Sequence, residues 1–291
     1  MDLGVVEFFL VFLAIGILIG VIAVMGGVGG GVVFTPLMLG FTPIDSFIVR
    51  ATGLLVAMSG SLVAARPFLT RGLANIRLVF FASVPYSIFA VIGALLAGYV
   101  KETAGEMGEA VLRLALGGIV TAVAALLLFF GKRAEYPEVE KVDRFTERLN
   151  LGMSYFEASL GKIVNYKLKG APVGVLVFCF VGLISGLFGL GAGWAMVPTF
   201  NLAMLAPIKV AAASSKVLIG VGDTAAVWPY LTGGGIFPLF AAPCMIGVAI
   251  GTYIGAKIML KVKASFVRYL VIAVLLGSGV KLILDGIQRL G

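Results

Sequence analysis

Long apolar runs separated by short polar segments occupy most of this 291-residue chain. Two of the runs, at 3–40 and 171–207, are far longer than the others. A continuous helix of about 37 residues would rise roughly 55 Å, well beyond the ~30 Å of a hydrocarbon core, so each long run must break and turn back. The pattern predicts an all-α polytopic membrane protein. The remaining six runs have the length of single membrane-crossing helices and cover 47–65, 78–100, 111–130, 210–229, 236–256 and 266–284.

The break in each long run falls at a cluster of glycines. The segments GGVGGGVVFTP (26–36) and GLGAGWAMVP (189–198) align without gaps when Gly27 is matched with Gly189. Glycine weakens helix propagation, and Pro36 and Pro198 disfavour a regular restart of the helix. The chain is an internal duplication, and each half should begin with a down-and-back pair of helices joined by a Gly-rich bend. Such a bend is tolerated at membrane depth only where it is buried in protein or lines a wet cavity.

Charges in the loops predict the orientation. The longest polar stretch, 132–170, is rich in Lys and Arg and should be cytoplasmic. The loop 66–77 carries three arginines, whereas its counterpart 231–237 is uncharged, so equivalent loops should lie on opposite sides of the membrane. We therefore expect two inverted-topology repeats, 1–131 and 171–291, each a broken Gly-rich helical hairpin followed by three transmembrane helices. Eight simple spans in parallel repeats are the alternative.

Composition and the lack of enzyme motifs narrow the function. The chain is 60% hydrophobic and 12% charged, against roughly 25% charged residues in soluble domains. It has no histidine, and it completes no dinucleotide-binding, P-loop or Cys-x-x-Cys motif. We expect no enzyme, no cofactor and no metal site. The net charge of +8 lies mainly in predicted cytoplasmic loops, where it sets orientation and contacts anionic lipids, so we expect no nucleic-acid partner.

The two bends suit an anion. A bend leaves the first backbone N–H groups of the next half-helix unpaired and points its positive dipole end inward. Two bends related by pseudo-symmetry would meet near the midplane, as in secondary transporters built from inverted repeats. Close helix packing is the alternative role of these glycines. The substrate-binding candidates at the bends are Gly27, Gly29, Gly30, Gly31, Thr35, Gly189, Gly191 and Gly193.

The helix after each bend adds polar side chains to this hypothesis. Charges inside an apolar span usually face water or the protein interior, although Arg50 could instead extend to the outer interface. Hydroxyl groups could also bond their own helix backbone. Asp223 lies mid-span and either balances a cation on another helix or binds a coupling proton or cation. The further substrate-binding candidates are Arg50, Thr52, Ser214, Ser215 and Lys216.

Together these motifs resemble the duplicated signature of the TauE/SafE-type sulfite exporter family. The resemblance covers both halves, but the linker at 132–170 is longer than that signature leads us to expect. It implies a secondary transporter in the cytoplasmic (inner) membrane that exports a small oxyanion, such as sulfite or an organosulfonate, by alternating access. An anion channel, or a membrane scaffold that docks a partner through Val142, Phe145 and Leu149 of the linker, are the alternatives. The oligomeric state is left open.

Overall fold

The structure is a computed structural model that describes residues 3–26, 29–129, 137, 139, 141–157, 161–258 and 264–290. Nearly all of the regular structure is helical, and eight of the described helices are long and apolar enough to cross a membrane. The prediction of an all-α polytopic membrane protein is thereby confirmed. A small two-stranded hairpin in the linker is a departure from it.

Within its described residues the first half contains five helices, and the broken run supplies two of them. The break lies at Gly29, whose φ of 91° is a conformation that residues with a side chain rarely adopt. Asp45 caps the third helix by accepting backbone N–H groups of Phe47 and Ile48, and the Asn75 side chain caps the fourth. The helices are α1 (Leu3–Gly26), α2 (Gly30–Phe41), α3 (Ser46–Thr70), α4 (Ile76–Thr103) and α5 (Gly105–Phe129).

The linker and the second half follow in the same order. The second long run also breaks at its glycines, where Gly189 ends a helix with φ of 68° and Gly191 has φ of 67°. A π-helical turn, Thr199–Ala203, continues the short helix after this bend. The linker holds α6 (Arg144–Leu149), β1 (Met153–Glu157) and β2 (Lys162–Tyr166), and the second half holds α7 (Ala171–Phe188), α8 (Gly193–Pro198), α9 (Ile208–Thr232), α10 (Pro238–Ile258) and α11 (Ala264–Leu290).

The first helix of each half packs against the fourth helix of the other half. In the pair α1 and α10, a Cβ placed on Gly20 would lie 2.5 Å from the carbonyl oxygen of Val248. In the pair α4 and α7, a Cβ on Gly186 would lie 1.9 Å from the carbonyl oxygen of Ala90. Glycine is needed at these positions because the helix backbones approach too closely for any side chain.

Equivalent helices of the two halves also pack on each other and run in opposite directions. Near the start of α3, the ring of Phe47 lies 4.7 Å from the ring of Tyr230 near the end of α9. Near the end of α3, Leu62 lies against Gly220 in the middle of α9. The neighbours of Gly117 and Gly286 show that α5 and α11 are antiparallel as well.

The linker packs on the helices of its own chain. The side-chain amide of Asn75, at the start of α4, donates to the carbonyl oxygen of Leu151 at 2.7 Å and to the Tyr166 hydroxyl at 2.8 Å. Leu149 packs against the same buried cluster, and the ring of Phe145 lies 6.5 Å from the ring of Phe81 on α4. Part of the apolar stripe considered for partner docking therefore faces α4.

Candidate functional site

The two Gly-rich bends contact each other inside the protein. A Cβ placed on Gly29 would lie 3.4 Å from the Cα of Gly193. The Thr35 hydroxyl on α2 donates to the carbonyl oxygen of Gly189 at 2.7 Å, which ties the first broken segment to the second bend. Gly27 lies outside the described residues. The juxtaposition expected from the duplicated motif is therefore present among the candidate residues that the structure describes.

The backbones around the bends approach so closely that side chains would not fit. A Cβ on Gly31 would lie 2.5 Å from the carbonyl oxygen of Leu190, and a Cβ on Gly189 would lie 2.1 Å from that of Arg50. Gly30 is also buried, with a side chain of Val56 3.1 Å from its Cβ position. The glycines of both bends thus belong to one compact backbone cluster, to which α3 contributes.

The helices that follow the bends begin without side-chain caps. Gly29 precedes α2 and Ala192 precedes α8, and neither residue has a side-chain oxygen that could accept a backbone N–H. The first N–H groups of α2 are therefore left without intrahelical partners, and the positive end of its dipole lies at the bend. Trp194, the second residue of α8, has a buried indole N–H that meets no acceptor in the described part of the chain.

Asp223 lies on α9 beside the second bend. Its side chain is fully buried, and its Oδ1 accepts a hydrogen bond from the Tyr86 hydroxyl of α4. The Tyr86 oxygen lies 2.8 Å from Ser185 Oγ of α7, and since the tyrosine proton goes to Asp223, Ser185 donates in turn to Tyr86. Oδ2 of Asp223 has no partner among the described residues and lies 3.0 Å from a Cβ placed on Gly191.

Arg50 belongs to a buried ion network at the start of α3. Its side chain is 1% exposed, and its Nη2 lies 2.9 Å from Oε2 of Glu109 on α5. Arg113 pairs with the other Glu109 oxygen at 3.1 Å. The Arg50 side chain therefore points into the protein and does not extend to the interface. Glu109, Arg113 and Asp285 also line a cleft of about 520 Å³ whose wall does not include a bend glycine.

Lys216 and Arg50 lie in different parts of the molecule. Because α3 and α9 are antiparallel, Arg50 lies beside the end of α9, whereas Lys216 is near its beginning. Their positions differ by more than ten residues along α9, roughly 15–25 Å. Lys216 is nearly buried and forms no ion pair within the described ranges.

The three hydroxyl candidates on α3 and α9 have different surroundings. Ser214 accepts the backbone N–H of Asn75 at 2.9 Å, and Ser215 donates to the Ala212 carbonyl of its own helix at 2.9 Å. Thr52 is fully buried, and its hydroxyl has no partner in the residues that are described. Thr52 is thus the candidate among these three whose hydroxyl remains available to a ligand.

Four residues that bond the candidate residues are not among those predicted from the sequence: Tyr86, Ser185, Glu109 and Asn75. Only the four-residue spacing of Glu109 and Arg113, which allows a helical ion pair, is a local signal. Contacts between distant helices bring the other three to their places, and such contacts leave no pattern in a single sequence.

Comparison with known proteins gives a consistent result. Residues 12–282 match the family described as sulfite exporter TauE/SafE. The probable membrane transporter protein YunE of Bacillus subtilis is 25% identical over 285 residues, which cover 96% of this chain and 98% of that protein. A probable membrane transporter protein of Haemophilus influenzae is also 25% identical over 285 residues, covering 98% of both chains. No solved structure matches.

These matches and the eight apolar helices describe a multi-pass protein of the cell membrane that is a transporter and not an enzyme. The matched region includes both bends and ends within α11, so the likeness extends over the whole duplicated fold. The chain belongs to the TauE/SafE sulfite exporter family.

Proposed function

We propose that this transporter exports a small oxyanion, sulfite or an organosulfonate, by alternating access at the two bends. The observation that carries the proposal is the contact between the uncapped start of α2 at Gly29 and the second bend at Gly193. Backbone N–H groups at a helix start bind oxyanions without needing a full positive charge. The description of the family as sulfite exporters supports the choice of anion.

Buried donors without partners strengthen this assignment. The Thr52 hydroxyl and the Trp194 indole N–H are both unpaired in the described structure, and Trp194 directly follows Gly193 of the second bend. A buried donor without an acceptor is costly, and an oxyanion supplies acceptors. We assign substrate binding to the bend glycines and Thr52. Lys216, Ser214 and Ser215 lie in the first part of α9, and we assign them a role along the route by which the anion reaches the bends.

The repeats are inverted in this proposal. Equivalent helices would run in the same direction if the two halves were related by an axis along the membrane normal. The antiparallel pairs α3 with α9 and α5 with α11 instead fit an axis in the membrane plane. Since the bends touch in this conformation, an anion reaches them when the two halves rock apart.

Flux into and out of liposomes tests the proposal. We expect saturable efflux of sulfite and of a sulfonate from vesicles containing the purified protein, with one anion competing against the other. Lys216→Ala should reduce the apparent affinity of transport because the route loses its attraction for the anion, and Lys216→Arg should keep part of it because the charge survives while the hydrogen-bond geometry changes. Lys281→Ala, at a lysine that is about half exposed, is the matched control. Unsaturable, purely electrodiffusive flux would indicate a channel and contradict alternating access.

A further inference from the structure

The buried acid beside the second bend has no cation to neutralise it among the described residues. Around its carboxyl, α4 contributes Tyr86, which is the titratable group in contact, and α7 contributes the Ser185 hydroxyl. The bend contributes Gly191, whose Cβ position also lies 2.6 Å from the Cβ of Ala57 on α3. On α9 itself the nearest charged residue is Lys216, seven residues earlier and about 10 Å away along the helix. Arg50 on α3 is held by Glu109.

This environment favours the neutral form of the carboxyl. An ionised carboxylate inside a membrane protein is costly unless a cation or several donors surround it, whereas a neutral carboxyl is tolerated with one or two hydrogen bonds. Tyr86 donates to Oδ1 of Asp223. Oδ2 is therefore the oxygen that carries the proton, and it faces Gly191.

The position of Oδ2 links this proton to the anion. A protonated Oδ2 donates a hydrogen bond toward the bend where the anion is proposed to bind, whereas an ionised carboxylate repels an anion there. We propose that Asp223 binds one proton together with the transported anion, so that anion transport is coupled to H⁺. This inference rests on the proposed function, because it places the anion at the bends.

The same contacts give Tyr86 and Ser185 a role as positioning residues. Their hydrogen-bonded chain joins α4, α7 and α9 and keeps Oδ2 directed at the bend.

Proton coupling also changes the charge that crosses the membrane. A proton that moves with a monovalent sulfonate makes the transported pair electrically neutral. The net direction of transport then depends on the sum of the anion and proton gradients.

The first experiment detects the proton without any substrate. Infrared spectra of the purified protein near neutral pH should contain the C=O band of a buried, protonated carboxyl, which is isolated by subtracting the spectrum of a variant from that of the wild type. We expect Asp223→Asn to remove this band and Asp45→Asn to keep it, since Asp45 is half exposed and caps α3, a role that asparagine also fills. An unchanged spectrum in Asp223→Asn would overturn the proposal whether or not the protein binds an anion.

The second experiment measures the linkage. The probe is a simple alkylsulfonate, which keeps one charge over the pH range, because sulfite itself takes up a proton near neutrality. Wild-type affinity should fall about tenfold per pH unit above the titration of Asp223, with one proton taken up per anion bound. Asp223→Asn should bind with little pH dependence, since its amide still donates. Tyr86→Phe should shift the pH profile, whereas a purely structural role would leave the profile in place.

The outcomes separate the two proposals. If the wild-type affinity for the alkylsulfonate does not depend on pH, or depends on Na⁺ and not on H⁺, proton coupling is overturned while anion transport still stands. Absence of binding or flux for sulfite and for every sulfonate would overturn the proposed function and with it the joint binding of proton and anion.

Discussion

The two halves of this transporter have the same backbone plan but different chemistry beside the bends. In the alignment of the halves, Asp223 corresponds to Ser61. The match of Pro85 with Pro243 places Cys244 opposite Tyr86. The first bend also has close helix contacts and a helix start without a side-chain cap, but the residues that correspond to Asp223 and Tyr86 are Ser61 and Cys244, so the sequence supplies no equivalent acid–tyrosine pair for it.

The opposite asymmetry occurs at the start of α3. Arg50 corresponds to Ala212 in the second half, so the second half has no arginine at the place from which Arg50 pairs with Glu109. Duplication has kept the parts that depend on backbone geometry, which both halves need for bending and close packing. It has not kept the charged groups.

The largest expected effect concerns the relation between the halves. Cysteines introduced at Gly72 and Gly234 should react with a membrane-impermeant reagent from opposite sides of the membrane. Both glycines follow the ends of equivalent helices with φ near +65°, and a Cβ at either meets nothing within 4 Å, so the cysteines do not crowd a neighbour. Labelling of both from one side would replace the inverted repeats with parallel ones.

The next effect tests whether both bends matter equally. Gly29→Val and Gly191→Val should each abolish sulfite flux while the protein still inserts in the membrane, because valine is strained at positive φ and fills the bend. In thermal unfolding, Gly191→Val should be the less stable of the two, since its Cβ would lie 2.6 Å from the Cβ of Ala57. Flux through reconstituted vesicles measures both variants.

A matched control separates strain from crowding. Gly72→Val has a similar positive φ of 64° but open space around its Cβ, so it carries the backbone strain without filling the bend. We expect it to lower stability by about 1–3 kcal/mol and to retain flux. Equal loss of flux in Gly72→Val and Gly29→Val would show that the bend glycines serve folding alone.

A third effect addresses the ion network of the first half. Glu109→Gln removes the charge that neutralises buried Arg50, and it should lower stability by about 2–3 kcal/mol. The loss is smaller than for a fully buried pair because Glu109 is 19% exposed. Lys281→Ala breaks an exposed helical pair and should cost at most about 1 kcal/mol. Thermal unfolding in detergent compares the two, and equal shifts would contradict a structural role for the network.

Much of the fold was predictable from sequence because it follows from length and hydropathy. The 37-residue runs had to break, and both break at their glycines, at Gly29 and at Gly189. The hairpin of the linker was not predicted. Its strands are short, and they are held by contacts with Asn75 and the helix bundle, which no local pattern in residues 153–166 indicates.

The site was predictable in its backbone and not in its side-chain pairing. The duplicated glycines predicted that the bends meet, because glycine clusters occur where the backbone bends or approaches another segment closely. Arg50 and Lys216 lie one helical turn apart in the alignment of the halves, which by itself predicts that they are neighbours in space. In an antiparallel pair of helices, however, similar sequence positions lie at opposite ends, and only the packing of α3 on α9 reveals this.

The smallest effect concerns the linker, which belongs to neither half. Burial raises the pKa of Tyr166 from its ordinary value of 10 to about 12, so the folded state holds the phenol proton more tightly than the unfolded state does. This contribution to stability is fully present below pH 10 and is lost as the pH rises through 12, by roughly 2–3 kcal/mol in all. Tyr166→Phe should abolish that part of the pH dependence. At neutral pH it should cost only about 1 kcal/mol, because it leaves one N–H of Asn75 without its acceptor. Tyrosine absorbance titrations of both proteins, run beside thermal unfolding from pH 8 to the alkaline limit, measure the two quantities. A wild-type titration with every tyrosine ionising at the ordinary pKa would show that the hairpin does not bury Tyr166 against the bundle in solution.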